Sequence, residues 1–79
     1  MSYFMNKQEI LKQALDARID EIMHYQINID NYRLAIDLAM QDPDMLDFSE
    51  KLKELYSSSI IEQKKAIIMR DVLLKQLEE

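Results

Sequence analysis

The chain has 79 residues, 48% of them apolar, with no glycine, no cysteine and one proline, Pro43, and its formal net charge is −5. That length holds one domain, and the apolar content excludes an ordinary disordered tail. The missing cysteine removes disulfides, thiolate nucleophiles and cysteine metal sites, while an acidic chain with scattered basic residues does not suit direct nucleic-acid binding, which draws on a basic patch.

No apolar run approaches the ~20 residues of a membrane span, nor is there a signal-peptide pattern, so no membrane association is expected and a cytoplasmic location is the default. A β-protein would need several tight turns built on glycine, proline or Asn-Gly pairs, which are absent. The expected fold is all-α. It is an antiparallel two-helix hairpin, one domain over 1–79, dimerising into a four-helix bundle or coiled-coil-like assembly.

Tyr3, Phe4 and Met5 are unusually apolar for a terminus and are expected to tuck against the bundle or dock a partner. Helix one is expected over about 6–40, with Asn6 as N-cap and Glu9 completing a capping box. A seven-residue repeat runs through it. Leu15, Ile22, Ile29 and Ile36 take one core position, and Leu11, Arg18, Tyr25, Tyr32 and Ala39 take the other, a coiled-coil-like seam with one charged interruption. Met23, Ile27, Leu34 and Leu38 form a second stripe on a different face, and two stripes imply two sets of neighbours.

The break falls at about 41–44. Pro43 cannot continue a helix and pushes Asp42 out of helical geometry. Asp42 is then the expected N-cap of helix two, with Pro43 at its first position and Asp44 and Asp47 near the positive end of the helix dipole. Helix two is expected over about 44–77. Phe48, Leu52, Leu55, Ala66, Met69 and Leu73 form one stripe, and Tyr56, Ile60, Ile67, Leu74 and Leu77 a neighbouring one, widened by Ile61, Ile68 and Val72. Pairs at four-residue spacing, Asp47 to Lys51 and Asp71 to Lys75, are expected to support it. Ser57, Ser58 and Ser59 are its weakest segment and a candidate bend. Folding at Pro43 brings Glu21 near Lys65, Asp16 near Arg70 and His24 near Glu62.

A lone hairpin covers only one side of each helix, so a second copy is expected to cover the rest. The expected core and dimer contacts are Leu15, Ile22, Ile29, Ile36, Leu52, Leu55, Met69 and Leu73. The sequence does not decide which stripe serves the hairpin and which the dimer.

No residue pattern requires catalysis, a metal or a cofactor, and the expected protein is not an enzyme. His24, the only histidine, could serve as a general base beside Glu62, but a boundary histidine in a charged helix pair is the plainer reading. Glu21 and His24 have the Glu-x-x-His spacing of di-iron carboxylate bundles, yet the seam residues Ile22 and Tyr25 leave them pointing off the core. Asp42, Asp44, Asp47 and Glu50 lack the glycine and ligand spacing of a calcium loop. Tyr25, Tyr32 and Tyr56, with Asn28 and the three serines, make a polar and aromatic belt. They and the acidic turn residues Asp42, Asp44 and Asp47 are the candidate partner surface.

The expected function is a small protein–protein interaction module that binds and modulates a larger, unidentified protein, as an adaptor, chaperone-like factor or inhibitor. Phage accessory proteins include chains of this size and shape. The alternative is an acidic nucleic-acid mimic that blocks a DNA-binding or nuclease partner. Between 16 and 50 there are nine acidic residues against two arginines.

Overall fold

A computed structural model describes residues 6–79, so Tyr3, Phe4 and Met5 lie outside the described residues. Two α-helices of 33 residues each, α1 (Lys7–Ala39) and α2 (Leu46–Glu78), fold back on each other across a 3₁₀ turn at Pro43–Met45. The molecule measures 63 × 25 × 14 Å. Its thinnest dimension is scarcely more than the ~10–12 Å diameter of one helix with its side chains, so the hairpin is a slab without an interior.

The start of α1 follows from its first residues. The Asn6 side-chain oxygen accepts from the Glu9 amide at 2.8 Å, and its side-chain nitrogen donates to Glu9 Oε1 at 3.3 Å. One free amide of the first turn is thereby satisfied, and the two side chains hold each other in place.

The turn is tighter and longer than expected. Asp42 is extended, as the residue before a proline must be. Its side chain accepts from the Asp44 amide at 2.9 Å, and its carbonyl accepts from the Met45 amide at 2.9 Å. Asp42 therefore caps the 3₁₀ turn and not α2, which begins at Leu46 behind Met45 without a side-chain cap. Helix two starts two residues later than the sequence suggests because proline at the first position is satisfied by a single 3₁₀ turn. The chain needs no positive φ to turn, in keeping with the missing glycine.

α2 runs through Ser57, Ser58 and Ser59 without interruption. Packing along the rest of the helix overrides their weak propensity.

The seam between the helices is the seven-residue repeat of α1. Leu11, Ile29 and Ala39 are buried, and Leu15, Arg18, Ile22, Tyr25, Tyr32 and Ile36 are half-buried. The facing seam of α2 is Ser49, Leu52, Tyr56, Ser59, Gln63, Ala66, Arg70, Leu73 and Leu77, a run of alternating three- and four-residue steps in which all are buried or half-buried. Gln63 sets the register. Its Nε2 donates to the Ile22 carbonyl at 3.2 Å and to Gln26 Oε1 at 2.9 Å. Counting outward from that level places Tyr56 with Tyr32, Leu52 with Ile36, Ser49 with Ala39 and Arg70 with Arg18.

The expected cross-helix ion pairs are not made. Glu21 binds Arg18 at 3.4 Å, Lys65 binds Glu62 at 3.0 Å and Arg70 binds Asp71 at 3.1 Å. Among the described residues every ion pair lies within one helix. Lys51 likewise pairs with Glu54, at 3.7 Å, and not with Asp47. Three-residue spacing prevails over the longer reach between helices, and such exposed pairs contribute little to stability.

Ile29 lies at the middle of the seam and is 8% exposed. Ile29→Ala is expected to cost at least ~2 kcal/mol by deleting buried methyl groups. Lys53→Ala, which removes only a pair with Glu50, is expected to stay within ~0.5 kcal/mol. Thermal unfolding of both variants at one protein concentration checks the contrast. Equal melting would place the core elsewhere.

Candidate functional site

Small side chains dominate the seam at its closed end. Ser49 is 2% exposed, and its hydroxyl donates to the Leu46 carbonyl at 2.6 Å. Bonding back to its own helix lets this polar residue be buried against Ala39 without an unmet hydrogen bond. Moving away from the turn, the seam becomes aromatic and polar. Tyr32 and Tyr56 share one level, Ile29 and Ser59 the next, and Tyr25 and Gln63 the one after. Further on stand Arg18 and Arg70, each kept beside an acidic neighbour, Glu21 and Asp71.

The three candidate tyrosines are therefore part of the hairpin contact. All are half-buried, so their rings pack in the seam, and no hydrogen bond ties their hydroxyls to other described residues. Asp42, Asp44 and Asp47 are fully exposed at the closed tip, with Asp42 engaged in capping. The structure does not bring them together with the tyrosines.

Glu21 and His24 line a shallow, open depression with Ala17, Asp20, Tyr25 and Asn28. Every one of these residues belongs to α1. Glu62, the expected partner of His24, binds Lys65. A site walled by one helix cannot enclose a substrate, since deep pockets need convergent elements. Among the described residues no cluster of three or more histidine and acidic side chains is placed to hold a metal ion. No helix of the described residues is long and apolar enough to cross a membrane.

What the surface does hold is apolar area. Of the expected core and dimer residues, Ile29 and Leu52 are buried, Leu15, Ile22, Ile36 and Leu73 are half-buried, and Leu55 and Met69 are exposed. Phe48, in the same stripe, is 53% exposed. The stripe Met23, Ile27, Leu34 and Leu38 is exposed on the far side of α1. Ile27 and Leu34 stand two residues before the seam positions Ile29 and Ile36, which is ~200° around a helix of 3.6 residues per turn. Ile61 and Ile68 stand two residues after the seam positions Ser59 and Ala66, again ~200° around, on the far side of α2. The sequence pattern alone did not separate these stripes in α2, because its seam is filled by serine, glutamine and arginine. Compared with protein families, curated proteins and solved structures, the chain matches none.

Since the tyrosine rings pack and their hydroxyls do not, Tyr32→Phe is expected to leave the melting temperature nearly unchanged. Tyr32→Ala is expected to cost roughly 1–3 kcal/mol, less than a fully buried aromatic would. A large loss in Tyr32→Phe, read by denaturant unfolding, would mean that the hydroxyl holds a buried bond.

Proposed function

We propose that the protein is a non-catalytic interaction module that works as a homodimer and binds and modulates a larger protein. The observation that carries this reading is the distribution of apolar side chains. Among the described residues sixteen large ones are exposed, against five buried apolar residues. Leu38 is 68% exposed and Ile68 62%. Scattered exposed leucines are ordinary, but stripes of them along both outer faces of a thin slab mark surfaces that take partners. Two hairpins give four helices, enough to cover apolar stripes that one hairpin leaves in water. The shallow depression on α1, walled by one helix, suits docking better than catalysis, which draws on convergent groups.

The acidic-mimic reading keeps one observation in its favour. Asp16, Asp20, Asp37, Asp42, Asp44 and Asp47 are exposed and form no ion pair with the described residues. Long-range attraction between such a row and a basic partner is screened by salt, whereas apolar docking is not.

The parent chain is expected to sediment as a dimer at micromolar concentration. A stable, soluble monomer would overturn the dimer. Once a partner is captured from the native host, its binding to the purified chain is expected to persist at high salt. Binding that is lost steeply as salt rises would select the nucleic-acid mimic instead.

A further inference from the structure

The outer stripe of α1 has an internal symmetry. Met23, Ile27, Leu34 and Leu38 are spaced four, seven and four, so the stripe reads alike from either end, with its midpoint between Asp30 and Asn31. All four are more than half exposed. A two-fold dimer requires a self-complementary surface, in which one residue meets another and that other meets the first. Laid antiparallel on a copy of itself, α1 sets Met23 against the partner's Leu38 and Ile27 against the partner's Leu34.

The flanks of the stripe agree with that arrangement. In an antiparallel pair of helices, like flanks face each other. Asp30 and Arg33 share one flank, where they pair at 3.7 Å. Beside the two-fold axis Asp30 then faces the partner's Asp30, and the two Arg33 guanidinium groups flank this pair of carboxylates from either side. On the other flank Asn31, uncharged and exposed, faces the partner's Asn31. The outer apolar residues of α2, Ile61, Ile68 and Val72, are spaced seven and four and do not map onto themselves on reversal.

We infer that the second copy seats on α1, helix against helix, crossing at Asp30 and Asn31, with the two α2 helices on the outside. This deepens the dimer proposed above and rests on it. The four helices then lie in the order α2, α1, α1, α2.

Sedimentation equilibrium of two variants tests the assignment. Leu34→Glu is expected to be monomeric at concentrations where the parent is dimeric, and Ile68→Glu to remain dimeric. Both positions are outside the seam, so helical circular dichroism should be retained. In this cysteine-free chain, Asn31→Cys is expected to form a disulfide-linked dimer on oxidation, since the two-fold axis brings the Cα atoms within the ~7 Å that a disulfide spans. Ser58→Cys, exposed on the outside of α2, is expected not to. A dimeric parent with a dimeric Leu34→Glu and an uncrosslinked Asn31→Cys overturns the α1 assignment and leaves the dimer standing. A monomeric parent overturns both. If Leu34→Glu loses helix, the crosslinking comparison decides alone.

Discussion

The hairpin holds together along one seam, where each helix can cover only one side of the other. In a slab 14 Å thick, only Leu11, Ile29, Ala39, Ser49, Leu52 and Ala66 of the described residues are buried. The most buried residues, Ser49 and Ala66 at 2% exposure, are both small. Larger seam residues such as Leu15, Ile36 and Leu73 keep one edge in water. Burial of apolar area scales with how much surface each residue can hide, so this seam supplies less stabilisation than a true core of the same composition would.

The seam is also polar for its position. Arg18, Tyr25 and Tyr32 interrupt it on α1, and Ser49, Tyr56, Ser59, Gln63 and Arg70 on α2. Gln63 makes the helix-to-helix hydrogen bonds, to Ile22 and Gln26, and fixes where one helix lies along the other. A polar residue in an apolar seam specifies register at some cost in stability. Meanwhile Ile27, Leu34, Leu38, Ile61 and Ile68 stand on the outside. The usual arrangement, apolar within and polar without, is thus weakened in both directions.

The all-helical hairpin was legible because two features leave little else: no glycine, and a proline flanked by aspartates at mid-chain. The seam of α1 was legible too, because its repeat is carried mostly by isoleucine and leucine. The choice between the two α1 stripes was not, since both are apolar and only the neighbour decides. In α2 the expected stripe straddles the seam: Leu52, Ala66 and Leu73 lie in it, while Phe48, Leu55 and Met69 stand exposed beside it. Its true seam keeps the same three-and-four stepping but starts in a new phase after the turn, and it counts Ser49, Ser59 and Gln63 as members. The cross-helix ion pairs failed for a local reason. An opposite charge three residues away on the same helix is always within reach, and one on the other helix seldom is. The candidate tyrosines lie between the helices, while the candidate aspartates lie at the tip.

The turn at Asp42–Met45 also governs how the chain gets into this shape. Seam levels next to it, Ala39 with Ser49 and Ile36 with Leu52, join residues close in sequence, while Leu11 and Leu77 are nearly a chain length apart. Closing a short loop costs less entropy than closing a long one, so contacts form most readily at the closed end. Each level made shortens the loop that the next must close, so closure outward from Pro43 is the order of least entropic cost. The same order run backwards describes its opening: the ends at Lys7 and Glu78 part first, and the Asn6–Glu9 cap stands where fraying begins.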